Sequence, residues 1–418
     1  MQNAATLTDR VRATAFVPVY SAFAAGYLLS YLYRTINAVI SPELTGELGL
    51  TAASLGLLTS AYFLAFGLMQ IPVGILLDRF GPRRVEPVLL LIAATGALIF
   101  AFADGLTTLT VGRAIIGAGV CACLMAPLKG IAMWYPAERQ ASLAGWMMVA
   151  GGIGALAATA PAELALRIVD WRTIFIVLAT MTFGVALWIA WRVPDTPPPT
   201  HATDVRSQWA GVREIYRHPR FWWIAPLAGF GMGVFMAIQG LWAVPWMMEV
   251  QGLTRGAAAT VLLVMSVVVL VGYVLLGSFA TALDRRGIRA RHLFAAGFTM
   301  SAFALACITL EVPGSLGWWS LYGFGVAANV LAFPVTNEGF PRDYVGRTNT
   351  AINLFMFIGS FVTQWGIGGV VDAIRATAGV DAAAGLRYAF ALVLALDVLA
   401  LAWFFRGWKR FAHPVPAS

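Results

Sequence analysis

Residues Gln70 to Arg84 read QIPVGILLDRFGPRR: an apolar run that ends in Gly74, the pair Asp78-Arg79, Gly81 and the basic pair Arg83-Arg84. Charges at that density cannot sit in hydrocarbon, so the stretch is a helix hairpin turning at a membrane surface. The pattern recurs. Asp284-Arg285-Arg286-Gly287 follows, with Asp284 standing 206 positions after Asp78, about half the chain length. One basic turn suits any membrane protein; two at half-length spacing favour an internally duplicated one.

Composition fixes the solvent. Of 418 residues 60% are apolar and 11% charged, and the mean hydropathy is +0.77, whereas soluble domains carry roughly 25% charged residues. No soluble core hides that much apolar sequence, so the solvent is lipid. A span needs about 20 apolar residues, and twelve stretches qualify, at about 15–40, 52–77, 88–103, 106–134, 141–166, 171–191, 221–249, 255–282, 292–311, 316–338, 347–371 and 386–406. The long polar break holds Pro194, Pro197, Pro198 and Pro199 with Arg206, Arg213, Arg217 and Arg220, and reads as a linker. The expectation is an all-α membrane protein of twelve transmembrane helices: a six-helix bundle over 1–192, a cytoplasmic linker over 193–220 and a pseudo-symmetric six-helix bundle over 221–418.

Net charge is +8 and pI near 9.7, which by itself would suit nucleic acid. Location argues otherwise, because most arginines fall in alternate loops, the positive-inside signature. Placing both termini in the cytoplasm puts Arg10, Arg12, Arg79, Arg83, Arg84, Arg139, the linker arginines, Arg285, Arg286, Arg289, Arg291, Arg342, Arg347, Arg406, Lys409 and Arg410 there. The other side keeps Arg167, Arg172, Arg255, Arg375 and Arg387, balanced by Glu43, Glu47, Asp104, Asp170, Asp372 and Asp381. The expected partners are therefore the lipid bilayer and a small-molecule substrate, not nucleic acid, and a monomer is expected. Cys121, Cys123 and Cys307 all fall inside spans and offer no disulfide framework. Asp9-Arg10-Val11-Arg12 leads directly into a span too long for a cleavable signal. A second repeated pair supports duplication: Tyr135-Pro136-Ala137-Glu138-Arg139 precedes span 5, and Phe340-Pro341-Arg342-Asp343 leads to Arg347 before span 11, with Arg139 and Arg347 208 positions apart.

The Gly74-x-x-x-Asp78-Arg79-x-Gly81 turn resembles the loop between helices 2 and 3 of the major facilitator superfamily, with Pro82 as an interruption before Arg83-Arg84. The resemblance covers essentially the whole chain and is strongest over 31–84 and 113–175, including Asp170-Trp171-Arg172-x-x-Phe175. It implies rocker-switch alternating access in a bacterial inner membrane and a substrate path between the halves. It also implies an inner latch in which Asp78 and Arg79, with Gly74, Gly81 and Arg83, engage the opposite half. Gly74 would let helices approach closely, Glu138 and Arg139 belong to the same gate, and Asp284-Arg285 is its second copy.

Span 1 carries the clearest binding signal. Tyr20, Phe23 or Ala24, Tyr27, Ser30 or Tyr31, Arg34 and Asn37 recur at helical spacing, and a face turned to lipid would not keep such a stripe. Arg34 is the leading residue: a charge at membrane depth costs roughly 2.5–3.5 kcal/mol on insertion scales, and its fork of donors suits a carboxylate or phosphate. The bland alternative is an Arg34 that snorkels to the outer surface. The segment Tyr31-Leu-Tyr33-Arg34 through Ser41-Pro42 resembles the organic-anion branch, glycerol phosphate antiporters included, where an arginine here binds the phosphate; their second arginine is replaced by Met236. Arg113, in Thr110-Val-Gly-Arg113-x-x-x-Gly117-x-Gly119, resembles the superfamily's helix-4 motif and is either a substrate contact or a structural or gating charge.

Span 7 places Met232, Phe235, Met236, Gln239, Trp242 and Trp246 on one face. Met232-x-x-x-Met236 resembles a motif of CcoA-like copper importers, since soft sulfur suits Cu(I), but their His-x-x-x-Met on helix 8 is Val261-x-x-x-Met265 here. Core methionine is the commoner role. Flavins are carried by relatives in that branch, and the aromatic stripes would suit a planar ring. Tyr62, Phe66, Met69 and Gln70 of span 2, and Asn349, Asn353, Met356, Ser360 and Gln364 of span 11, read as neutral cavity walls or as inter-helix hydrogen-bonding groups.

For coupling, Asp397 reads as the only acid deep in a span, with Glu163, Glu249 and Glu338 near helix ends. Gly151-Gly152-Ile-Gly154 lacks the proline of the drug-efflux motif in helix 5, so uptake is the favoured direction. No resident cofactor or metal and no enzymatic constellation is expected. The reading is uptake of a small solute with one anionic group; the rivals are a copper or flavin importer and a transporter-like membrane sensor.

Overall fold

The computed structural model describes residues 16–134, 137–195, 213–338, 340 and 345–411. Among the described residues all regular structure is helical. Eleven helices are long and apolar enough to cross a bilayer, and the divided first span makes the twelfth. We label them by span: α1a Phe16–Thr35, α1b Asn37–Leu48, α2 Ala52–Phe80, α3 Pro82–Ala101, α4a Leu106–Val120, α4b Met125–Trp134, α5a Ala137–Ala157, α5b Ala160–Leu166 and α6 Trp171–Arg192. They continue with α7 Pro219–Ala237 and its extension to Val250, α8 Arg255–Arg285, α9 Ala290–Thr309, α10a Ser315–Val326, α10b Ala332–Asn337, α11 Val345–Ala378 and α12 Ala382–Phe411. Arg10, Arg12, Tyr135, Pro136, Pro341, Arg342, Asp343 and most of the expected linker lie outside the described residues.

Prolines account for most interruptions, because each removes the N–H that the carbonyl four residues earlier would accept. Pro127 follows the α4a–α4b break by one turn, and Pro161 that of α5a–α5b. Pro334 follows the 3-10 turn Ala327–Leu331. In α1b, Pro42 frees the Ala38 carbonyl, and the Ser41 hydroxyl donates to it at 3.0 Å. The span 7 extension winds through two wide turns, Ile238–Trp242 and Trp246–Val250, on either side of Ala243–Pro245.

Packing divides the chain into two compact units. One holds α1a, α2 from residue 65, and α3 to α6; the other holds α1b, the first part of α2, and α7 to α12. Within the first, α3 packs on α4a and α6, and α1a on α5a and α6. Within the second, α9 packs on α10a and α12, and α7 on α11 and α12. Each of these four pairs of the first unit thus has its counterpart six spans later in the second, as a duplicated chain would show. Glycines make these seams: a Cβ on Gly154 would run into the Leu28 backbone of α1a, and one on Gly359 into the Gly229 carbonyl of α7. The second unit's core centres on Phe221, Trp223, Phe294, Phe298 and Phe404. There the Trp223 ring stacks on Phe404 at 4.9 Å and its indole N–H donates to the Phe404 carbonyl at 2.7 Å.

The two basic turns use the same device. Gly81 and Gly287, 206 positions apart, hold φ of +74° and +84°, a left-handed conformation that residues with a Cβ rarely adopt. Pro82 then opens α3 at its first position, where the ring's fixed φ suits a helix and the missing N–H is not needed. Pro82 is therefore a helix start and not an interruption, and α3 begins six residues earlier than the hydropathy predicts.

Candidate functional site

In the first unit the span 1 stripe closes into a cluster. Tyr27 and Tyr31 meet edge to face at 5.1 Å. The Arg34 guanidinium lies over the Tyr31 ring at 4.5 Å and the Phe66 ring of α2 at 5.1 Å. Arg34 is buried, with 8% of its surface exposed. Gly151 of α5a makes room for both tyrosines, since a Cβ there would stand 2.6 Å from Tyr27 and 2.9 Å from Tyr31. A guanidinium flanked by two ring faces is held in place while its hydrogen-bonding edge keeps its affinity for a carboxylate, sulfonate or phosphate. Gln70, one turn beyond Phe66, donates back to the Phe66 carbonyl at 3.3 Å.

Arg113 is fully buried, and its Nη1 donates to the main-chain carbonyl of Tyr33 at 2.8 Å. That carbonyl lies just before the break at Ile36, and the Tyr33 hydroxyl pairs with Thr182 of α6 at 3.0 Å. The two candidate arginines therefore address adjacent residues of α1a, one as a side chain on the stripe and the other through the backbone.

In the second unit, Asn37 donates to Thr59 at 2.9 Å. Tyr62 is fully buried, edge-on to Phe63 at 5.4 Å, and Asn353 is half-buried. The span 7 stripe does not stay on one face. Met232 sulfur accepts from Asn329 of the α10 span at 2.7 Å and Met236 sulfur from Ser360 of α11 at 3.1 Å. Gln239 donates to Ser266 of α8 at 3.2 Å, Trp242 to the Gln364 carbonyl of α11 at 3.1 Å, and Trp246 stacks on Phe390 of α12 at 4.2 Å. For the positions beyond Ala237 the wide turns contribute: more than 3.6 residues per turn rotates each later position off the helical stripe. Gln364 is fully buried, and its side-chain amide has no hydrogen-bond partner among the described residues.

The same unit ties down the outer ends of spans 1 and 2. Arg255 of α8 pairs with Glu43 and donates to the Val39 carbonyl at 2.8 Å. Asp372 of α11 accepts from the backbone N–H groups of Ala52 and Ala53 at 3.2 and 2.8 Å, capping the start of α2. Sequence reading placed these three loops on one membrane face but did not pair them.

Among the turn residues, Arg83 donates to the Ala190 carbonyl at 3.2 Å, and Arg83 and Arg84 both face Asp195 at 3.4 Å. These groups are half or more exposed in two cases of three, so each ion pair contributes at most about 1 kcal/mol. Arg79 lies over Phe80 at 5.1 Å, and Arg285 is exposed at the end of α8. A Cβ on Gly74 would meet nothing within 4 Å among the described residues. The side chains of Asp78, Glu138, Arg139 and Asp284 lie outside what the structure describes.

One buried acid was missed. Glu86 of α3 is fully buried, so Asp397 is not the only acid deep in a span. Read as part of a charged loop, Glu86 looks solvated; with Pro82 as the first helical residue it lies a full turn inside α3. The signal was Pro82 itself.

Comparison with known proteins agrees with this architecture. The family model described as Major Facilitator Superfamily matches residues 23–364. The probable sulfoacetate transporter SauU of Cupriavidus necator is 31% identical over 172 residues, 41% of this chain and 40% of that protein. The chain thus spans less than half the length of that relative. The probable galactarate/D-glucarate transporter GarP of Escherichia coli is 24% identical over 400 residues, 83% of this chain and 86% of that protein. A bacterial homolog of the human lysosomal transporter Spinster, solved in an inward-facing, unoccupied conformation, superposes with a TM-score of 0.76 at 19% identity, covering 96% of this chain and 98% of that one; at that identity the likeness speaks for fold. Twelve helical spans, a packing pattern repeated six spans later and a family match over most of the length lead to one conclusion: the chain belongs to the Major Facilitator Superfamily.

Proposed function

We propose that this protein is a secondary transporter that takes up a small organic anion across a bacterial inner membrane by alternating access. It acts as a monomer with both termini in the cytoplasm and moves as two six-helix halves joined through the 193–220 linker. The observation that carries the reading is Arg34, a buried cation in span 1 seated between the faces of Tyr31 and Phe66. A cation at that depth is a functional group by default, and the planar fork of a guanidinium suits one anionic group. The names of the relatives point the same way, since SauU and GarP are described as transporters of sulfoacetate and of galactarate or D-glucarate. Tyr27, Tyr31, Asn37, Tyr62, Gln239, Trp242, Asn353 and Gln364 complete the path in this reading, with Arg113 bracing α1a beside it. Met232 and Met236 act as core packing, because each thioether is already taken up by a neighbouring amide or hydroxyl. Gly74, Asp78, Arg79, Gly81, Arg83, Glu138, Arg139, Asp284 and Arg285 form the inner gate.

The test is uptake of sulfoacetate, D-glucarate and galactarate into proteoliposomes by the wild type, Arg34→Gln and Arg34→Lys. Saturable uptake by the wild type, lost in Arg34→Gln and cut at least tenfold in Arg34→Lys, supports the reading. Equal uptake by Arg34→Gln and the wild type would overturn it.

A further inference from the structure

The buried acid that the binding site does not use is Glu86. Both of its carboxyl oxygens are shut off from solvent, and neither accepts a hydrogen bond from an N–H or O–H donor among the described residues. Its surroundings come from three helices. From α1a, Gly26 approaches so closely that a Cβ there would stand 2.9 Å from Oε1; the same point lies 3.8 Å from Ile189 of α6 and from Leu90. From the break between α4a and α4b, the Cys123 thiol is the polar group beside the carboxyl. Among the described residues no salt bridge to it is formed. The ionisable groups on the surrounding elements are Cys121 and Cys123 of span 4, with the charge of Arg34 of α1a felt at Cys123; Arg83 and Arg84 at the start of its own helix, turned to Asp195; and Arg172 and Arg192 at the two ends of α6.

An ionised carboxylate without a cation or donors is not stable in such a place; the group takes a proton instead. We propose that Glu86 is the proton-carrying residue that couples this transporter to the proton gradient, working through α1a. The proposal rests on the organic-anion reading above. The step balances simply. Glu86 forms an O–H bond with a proton taken from water on one side, travels neutral through the packed state seen here, and releases that proton to water on the other side when the α1a–α3 seam opens. One proton and one substrate anion cross together. Gly26 and Arg34 lie eight residues apart on the same helix, roughly 12 Å along its axis, so a proton at one and an anion at the other bias the same rigid element. Gly26 is what allows the carboxyl to sit against that element.

Two measurements test this. Infrared spectra of the reconstituted wild type should show a protonated carboxylic-acid carbonyl band persisting to neutral pH. It should vanish in Glu86→Gln, persist in Asp397→Asn, and shift in frequency in Gly26→Ala, which presses a methyl group against Oε1. In proteoliposomes loaded with a pH dye, D-glucarate or sulfoacetate should enter with protons in the wild type. Glu86→Gln should still exchange internal for external substrate but lose at least tenfold of the accumulation driven by an imposed pH gradient. A wild type that moves a probe with protons while Glu86→Gln accumulates it equally overturns the assignment to Glu86, as does a band that survives Glu86→Gln. A wild type that moves neither probe overturns the organic-anion reading and the coupling with it. That outcome is told apart because wild-type uptake itself is missing.

Discussion

Arg113 Nη1 donates to the Tyr33 carbonyl at 2.8 Å, immediately before the first span breaks at Ile36. A helix that breaks leaves carbonyls without their usual partners, and a fully buried guanidinium is a strong donor for one of them. Arg113 thereby holds the end of α1a while Arg34, the next residue after Tyr33, presents its side chain to the stripe. Arg113→Ala should lower stability by about 1.5–3 kcal/mol, the usual contribution of a hydrogen bond to a charged group. Equal unfolding midpoints for Arg113→Ala and the wild type in detergent would show that the bracing is absent.

The glycines separate in the same way. A Cβ at Gly154 would overlap the Leu28 carbonyl, an immovable backbone atom, whereas one at Gly74 meets open space. Gly154→Ala should force α1a and α5a apart and lower both folded yield and midpoint. Gly74→Ala should be neutral or stabilising by about 0.5–1 kcal/mol, the helix preference of Ala over Gly. Folded yield by size exclusion and a thermal melt on both variants check this. A Gly74→Ala protein that is also slow to transport would show that the glycine serves a conformation other than the present one.

How much of this could be read in advance follows from what hydropathy measures. It reports which residues avoid water, so the twelve spans and the repeated turn were legible, and periodicity on an unbroken helix put Tyr27, Tyr31 and Arg34 together. It fails where the helix leaves 3.6 residues per turn. The wide turns after Ala237 send Gln239, Trp242 and Trp246 to three different helices, and no composition signal in Ile238–Trp242 marks them. It fails also at helix starts, where a charged residue looks like loop. Glu86 was lost there because five residues of mixed charge outweighed one proline. Long-range pairs such as Asp372 with the start of α2 are not local properties at all, so nothing in either stretch announced them.

Asp372 makes that last point testable. Its carboxylate accepts from two of the free N–H groups that open α2, where a negative charge also favours the helix end. Asp372→Ala should cost about 1 kcal/mol, the usual value of a helix cap, and Asp372→Asn less. Removing Glu43 from its pair with Arg255 in the same background should lower the midpoint further, since both contacts hold the same hairpin. Additive losses in the double variant would mean the two act independently; a smaller combined loss would mean that one already releases it.

The cap of α6 gives a pH dependence whose direction can be worked out. Asp170 accepts from the Thr173 backbone N–H at 2.7 Å. Hydrogen bonds from the Thr173 side chain and backbone hold its carboxyl below the usual carboxylate range. The folded value lies below the unfolded one, about 3.9. The stabilisation is therefore fully present above that pH and is lost as pH falls through the folded value. Asp170 is exposed, so solvent screens the interaction and the loss in Asp170→Ala belongs at the low end of the cap range, about 0.5 kcal/mol at neutral pH. The gap between the two midpoints should shrink below about pH 4. Asp170→Asn keeps a cap oxygen without the charge, so its gap should be smaller at neutral pH and flat with acidification. Thermal melts of the three proteins at pH 7, 5 and 3 decide it: an Asp170→Ala gap that stays constant across that range means the carboxylate's charge contributes nothing to holding α6.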